Sequence, residues 1–226
     1  MIATIAIACL SATLSAPPGF EAGPVQRDPA ESFVETFFKG SNEGGWSWNG
    51  GFQALWSKGG NKSWYLRTHA VDTFAPQAFT EFGVDSEFTG NYRAKRIAIL
   101  GADFITERVD FSAAERPVSI LLTSDQGTPE DPFDDCTAYY VGASFAPEPG
   151  EGWRSYQFGI DPFSQVLPPG WNLLEGCTEP TPDDAWNRII QDVDQLRFFY
   201  GDPANFFIFQ LFTVGIDNVY VVHFTH

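Results

Sequence analysis

Two carboxylate side chains occur inside stretches that otherwise have the apolar pattern of buried β-strands. Glu35 lies in SFVETFF, and Asp217 lies in VGIDNVYVV near the end of the chain. An ionised carboxylate removed from water without a partner costs several kcal/mol. Basic residues are scarce, with 13 Lys and Arg against 29 Asp and Glu. The pattern therefore indicates either a bound cation or two acids that point outward from edge strands.

Calcium is the cation that this donor set suits, because Ca²⁺ takes six to eight oxygen ligands from carboxylates, carbonyls and amides. The turn KGSNEGG, which contains Ser41 and Glu43, follows the first strand. In jelly-roll sandwiches the first and last strands commonly lie side by side, which would bring Glu35 and Asp217 together. The sequence therefore predicts a structural Ca²⁺ site between the chain ends, formed by Glu35, Ser41, Glu43 and Asp217.

Aromatic residues are concentrated in the segment that follows this turn, where four tryptophans fall within nineteen residues. Sugar rings stack on flat aromatic faces, and a few polar side chains orient them. The predicted ligand-binding residues are Trp46, Trp48, Trp56, Trp64, Tyr65 and Arg67. Alternation along a strand would place Trp46 and Trp48 on one face. Packing of these rings in the core is the alternative use.

Motifs of common hydrolases and nucleotide-binding enzymes are missing from the sequence. There are three histidines, and the patterns HExxH, GxSxG and the P-loop do not occur. One enzyme class stays open, glycoside hydrolysis by two carboxylates in a groove. The candidate acids are Glu81, Glu87, Asp103 and Glu107, but their spacing marks no pair. We therefore predict no catalytic residues.

The elements that would position these residues are mostly strands. Aromatic residues make up 16% of the 226 residues, and 21 glycines and 16 prolines imply many turns. Short aromatic and β-branched runs separated by such turns favour sheet. One segment, TPDDAWNRIIQDVDQ, has helical spacing of apolar residues and a capping residue, Thr181 or Asp183. The predicted fold is all-β, a two-sheet antiparallel jelly-roll sandwich with one short helix.

The N-terminal residues have the pattern of an export signal. Residues 1–16 are uncharged and apolar, and small residues precede Pro17. We interpret 1–16 as a signal peptide, 17–31 as a flexible linker and 32–226 as the β-domain. Removal of the signal peptide takes away one of the three cysteines and leaves Cys136 and Cys177. Two cysteines in an exported chain predict one disulfide, with two buried thiols as the alternative. The expected location is extracellular or at the cell surface.

The charge of the chain restricts its partners. A net charge of -16 argues against nucleic acids and anionic membranes, which require clustered Lys and Arg. No segment is predicted to insert into a membrane. This acidity suits cations and neutral sugars as partners, and the alternative is that it only keeps an aromatic-rich protein soluble.

Several motifs together resemble one known fold family. They are NEGGW after an early FxE, YLRT, FTGNYRAKRIAILGADF, GWRSYQF, QDVDQLRFFYGDP and a closing GIDNV. Over residues 32–222 the chain resembles secreted bacterial proteins with the galactose-binding-type jelly roll of carbohydrate-binding modules and laminin B (domain IV) modules. In carbohydrate-binding modules of this type, a first-strand Glu and a last-strand Asp often hold calcium, and Glu35 and Asp217 match these positions.

The function predicted from the sequence is that of a secreted, non-catalytic, calcium-stabilised module that binds extracellular carbohydrate or matrix material. One alternative is a structural or adhesive surface protein without sugar binding. The other is a carbohydrate-active hydrolase. These three functions differ in whether the clustered aromatic rings face solvent and whether two acids share a groove.

Overall fold

The computed structural model describes residues 32–61, 64–111, 113, 116–125, 127–128, 135–174, 176–205 and 208–224. The predicted signal peptide and linker lie outside these residues. The strands are β1 (Ser32–Glu35), β2 (Trp46–Trp48), β3 (Phe52–Trp56), β4 (Tyr65–Thr73), β5 (Gln77–Thr80), β6 (Ile97–Val109), β7 (Pro117–Ser124), β8 (Cys136–Phe145), β9 (Arg154–Gly159), β10 (Trp171–Leu173), β11 (Gln195–Tyr200) and β12 (Gln210–His223).

The strands form two antiparallel sheets, as predicted. Sheet A has the order β3-β4-β12-β6-β9, with β1 also paired to β12, and sheet B has the order β10-β8-β7-β11-β5-β2. The apolar faces of the two sheets pack against each other to form the main core. The jelly-roll sandwich is confirmed, and so is the expectation that the first and last strands are neighbours.

The predicted helix is α2 (Pro182–Ile189). The hydroxyl of Thr181 accepts a hydrogen bond from the backbone N–H of Asp184, which caps the first turn. Its buried face includes Trp186 and Ile189, as the apolar spacing predicts. A second helix of a single turn, α1 (Tyr92–Lys95), was not predicted. Within the described residues, no helix is long and apolar enough to cross a membrane.

Two of the predicted ligand-binding tryptophans lie in the core. Trp46 and Trp48 are each 2% exposed. Trp46 stacks on Phe198 at 5.8 Å between ring centroids, and the indole N–H of Trp48 donates to the carbonyl of Leu66 at 3.3 Å. Neither ring can stack on a sugar in solvent, so their assignment as ligand-binding residues is wrong. β2 lies at the edge of sheet B, and its alternation directs both rings towards sheet A.

The predicted disulfide is present. The Sγ atoms of Cys136 and Cys177 are 2.10 Å apart, and the bond joins residues separated by 41 positions. It attaches the start of β8 to the segment between β10 and α2. In the chain-entropy model, closing a loop of this length stabilises the fold by about 4 kcal/mol.

Two aspartates meet where β7 ends, and they give the stability a pH dependence. The backbone N–H of Asp125 donates to the Asp194 carboxylate at 2.9 Å. Burial raises the pKa of Asp194 to about 6, and the charges of Asp125 and Asp192 add to the rise. A raised folded-state pKa contributes stability that is complete below the unfolded value, near 4, and is lost as pH rises through about 6.

We therefore expect Asp194→Asn to raise the free energy of unfolding at pH 7.5, because the amide keeps the acceptor without the charge. With allowance for solvent screening of this half-buried group, the gain is about 1 kcal/mol. At pH 4 the variant and the parent should be nearly equal. Urea unfolding at both pH values measures this, with exposed Asp85→Asn as the control. An equal effect at both pH values would contradict the assignment of this pH dependence to the Asp194 carboxylate.

Candidate functional site

The outer face of sheet A, which points away from the core, carries three of the four other predicted ligand-binding residues. Edge strand β3 presents Phe52, Ala54 and Trp56 on this face. In the register with β4, these three lie opposite His69, Arg67 and Tyr65 respectively. Directly opposed residues of an antiparallel pair share a face. The six side chains therefore form one continuous surface, which we call the aromatic platform.

The aromatic platform exposes two large rings to solvent. Phe52 is 79% exposed and Trp56 is 45% exposed. The guanidinium carbon of Arg67 lies 4.4 Å from the centroid of the Trp56 ring, a cation–π contact that holds the indole in place. Together with Ala54 and His69 these residues line an open depression of about 410 Å³. The platform therefore offers flat apolar surface beside polar groups.

A hydrogen-bonded group of three residues supports the platform from β4 and β6. The Glu107 carboxylate accepts bonds from Arg67 Nε at 2.9 Å and Nη2 at 2.6 Å, and from the Tyr65 hydroxyl at 2.6 Å. Burial opposes ionisation of Glu107, but the bonds from Arg67 and Tyr65 outweigh it, so the pKa of Glu107 is lowered. Burial and the bond to Glu107 raise the pKa of Tyr65. The acid is therefore ionised and the phenol neutral at neutral pH.

Sequence reasoning missed two aromatic residues of this face. Phe52 lies four residues before Trp56 on the same strand, and period-two alternation could have identified it. Trp153, just before β9, packs edge-on against Tyr65 at 5.3 Å between centroids, and its indole N–H donates to the Gly59 carbonyl at 3.0 Å. Tyr65 itself is only 3% exposed. It therefore supports the platform and offers little surface to a ligand.

Trp64 lies just before β4, outside the platform. It is partly buried and packs against the main core. Of the six residues predicted to bind ligand, the structure therefore brings Trp56, Tyr65 and Arg67 together on one face.

A second polar group lies next to the platform, around Asp217. The Asp217 carboxylate accepts from the backbone N–H groups of Asn61 and Asn218, both at 2.7 Å. Asp103 is opposite Asp217 on β6 and accepts from the side-chain amides of Asn61 at 2.6 Å and Asn218 at 2.7 Å. The turn between β3 and β4 is thereby fastened to the sheet.

A β-bulge separates the two acids that were predicted to bind calcium together. Asp217 pairs with Asp103 and Tyr220 with Gly101, so β12 has one residue more than β6 at this point. Asn218 takes a positive φ of 45° there. Val219 consequently faces the core, and Glu35, which lies opposite Val219, shares that face. Asp217 points to the outer face of sheet A.

The loop after β1 surrounds Glu35. Glu35 is 3% exposed, and its carboxylate accepts from the backbone N–H groups of Phe37 and Glu43. Ser41 Oγ lies 3.4 Å from Glu43 Oε1. Glu35, Ser41 and Glu43 are thus held in one loop, but Asp217 is not part of it. The predicted set of four calcium ligands is therefore corrected, because Asp217 lies on the other face of sheet A.

Comparisons with known proteins yield structures and no sequence family. No family model matches the chain, and no curated protein matches it. An exo-β-agarase is 12% identical with a TM-score of 0.48, over 87% of this chain and 25% of the agarase. The chain therefore spans about a quarter of that enzyme.

Two carbohydrate-binding modules are similar over most of their length. CtCBM11 is 16% identical with a TM-score of 0.43, over 87% of this chain and 97% of the module. CBM28, specific for non-crystalline cellulose, is 16% identical with a TM-score of 0.37, over 83% of this chain and 92% of the module. All these TM-scores are below 0.5.

Proposed function

We propose that the protein binds carbohydrate on the aromatic platform. The observation that carries the proposal is the pair of exposed rings, Phe52 and Trp56, on one face of an edge strand beside hydrogen-bonding groups. Exposed apolar surface of this kind, bordered by polar residues, marks binding surfaces. The C–H face of a pyranose would cover the Trp56 ring, and its hydroxyls would meet the polar edge.

Arg67 supplies directional hydrogen bonding at that edge. A guanidinium has five N–H donors, and the bonds to Glu107 use those on Nε and Nη2. The donors on Nη1 take no part in these bonds and would meet the sugar hydroxyls, with Glu107 fixing the direction of the guanidinium. Because Glu107 already neutralises this cation, the platform suits neutral sugars better than uronic acids.

The spacing of the rings indicates a polymeric ligand. Four residues of β-strand separate Phe52 from Trp56 by about 13 Å. That distance exceeds the size of a single sugar ring, and the small side chain of Ala54 leaves the space between the rings open. A glycan chain lying along β3 would contact both rings, whereas a monosaccharide would contact one.

Binding is favoured over hydrolysis by the state of the acids. Asp103 is held by the side-chain amides of Asn61 and Asn218 and Glu107 by Arg67, so both acids on this face of β6 are engaged in hydrogen bonds. The pKa of Glu107 is lowered, whereas a general acid needs a raised one. We propose extracellular carbohydrate or matrix polysaccharides as the partners. The disulfide fits this location, because disulfides persist outside the cell.

Binding to a panel of neutral and acidic polysaccharides by affinity electrophoresis tests the proposal. We expect retardation by at least one neutral polymer and no release of reducing sugar from it. Retardation by none would contradict sugar binding and leave the adhesive alternative. Release of reducing sugar would support the hydrolase instead.

Calcium stabilisation stays part of the proposal, and the loop after β1 is the place for it. The carboxylates of Glu35 and Glu43 and the hydroxyl of Ser41 are oxygen donors of the kind that Ca²⁺ uses. A cation that binds only the folded state raises the melting temperature. We expect Ca²⁺ to raise it, EDTA to reverse this, and Glu43→Gln to reduce the effect, with Asp72→Asn, exposed on β4, as the control. A melting temperature that changes with neither Ca²⁺ nor EDTA would contradict the proposal.

A further inference from the structure

A carboxylate lies beside the disulfide. A carboxylate oxygen of Glu179 and the Sγ atoms of Cys136 and Cys177 all lie within 4.8 Å of one another. Across the described part of the chain, this is the one group of three His, Cys, Asp or Glu side chains with such spacing. Oε2 of Glu179 is shielded from solvent and has no hydrogen-bond partner among the described residues.

The oxidised sulfurs cannot satisfy that oxygen. A buried acceptor without a partner costs free energy, more so when it is charged. A disulfide has no proton to donate and no charge to offer. Two thiolates that hold a cation would instead place a positive charge next to the carboxylate.

We propose that reduction of the disulfide turns Cys136, Cys177 and Glu179 into a site for a borderline-soft divalent cation such as Zn²⁺. Two thiolates and a carboxylate are ligands that zinc uses, and a fourth position stays open to water. Thiolate donors select such a metal over Ca²⁺ and Mg²⁺. Cys136 is buried at the start of β8 and Cys177 is half-buried, so the reductant and the metal enter from the Cys177 side.

The chemistry balances with a dithiol as the reductant. The dithiol supplies two electrons and two protons, the S–S bond of the protein breaks, and the dithiol closes into its own disulfide. Zinc then replaces the two thiol protons, which go to solvent as two Zn–S bonds form. Reoxidation removes the ligands, so the disulfide and the metal site exclude each other.

Cobalt titration of the full chain tests the proposal. The chain is reduced with dithiothreitol and desalted without oxygen, and Co²⁺ is followed by its thiolate charge-transfer absorption. We expect one Co²⁺ per reduced chain with that absorption, displaced by Zn²⁺, and none in the oxidised chain. Glu179→Gln should weaken binding at least tenfold, whereas the control Glu87→Gln should not change it.

Two results would overturn the proposed metal site. One is a reduced chain without thiolate absorption, whether or not its circular dichroism still shows the sandwich. The other is a Glu179→Gln variant that binds Co²⁺ as tightly as the parent, which would leave the two cysteines without the carboxylate. Because the oxidised Glu179→Gln variant keeps the disulfide, its circular dichroism and melting temperature separate loss of the ligand from loss of the fold.

Discussion

Replacing Trp56 with alanine is expected to lower the affinity for the bound polysaccharide about thirty-fold, which corresponds to about 2 kcal/mol. The indole is 45% exposed and held by Arg67, so it offers a rigid stacking surface whose loss nothing else on the platform replaces. Trp56→Phe should recover part of the affinity, because a smaller ring still stacks. Isothermal titration with the polymer that the panel identifies measures both variants.

The control for Trp56→Ala is Phe82→Ala. The Phe82 side chain is 44% exposed, close to the value for Trp56, and it lies outside the aromatic platform. It should leave the affinity unchanged. The melting temperature of Trp56→Ala should also stay close to that of the parent, because the ring contributes little to the core. Unchanged affinity in Trp56→Ala, with the fold intact, would move the binding site away from β3.

Replacing Trp48 with alanine is expected to cost about 3–5 kcal/mol of unfolding free energy, the range for removing a fully buried large aromatic side chain. The ring packs edge-on against Phe104 and Tyr200, each at 6.5 Å between centroids. The substitution leaves a cavity between the sheets and removes the bond from the indole N–H to the Leu66 carbonyl. Urea unfolding measures the loss. For a domain of ordinary stability, this loss is a large fraction of the free energy of unfolding.

Trp48→Phe should cost less than Trp48→Ala because most of the volume remains. The comparison with Trp56→Ala separates the two roles of tryptophan here: one variant should lose stability and the other affinity. A Trp48→Ala protein with parental stability but without polysaccharide binding would restore Trp48 to the ligand site and refute its place in the core.

The carboxylates illustrate how a local pattern and a tertiary contact differ. That Glu35 and Asp217 lie in neighbouring strands could be predicted, because the jelly roll pairs the first and last strands. Which face each acid points to could not. A regular β12 would give Asp217 and Val219 the same face, and the extra residue at Asn218 reverses that relation. The short stretch around Asn218 carries no signal strong enough to reveal a bulge.

The sequence by itself determined the all-β sandwich, the capped helix and the disulfide partners. These depend on signals that are local or countable: period-two alternation, turn residues, the Thr181 cap and two cysteines. Only the tertiary structure decided that Trp56 faces solvent while Trp48 faces the core. Alternation tells which residues share a face of a strand, but the neighbouring sheet decides which face is covered, and that sheet comes from distant parts of the chain.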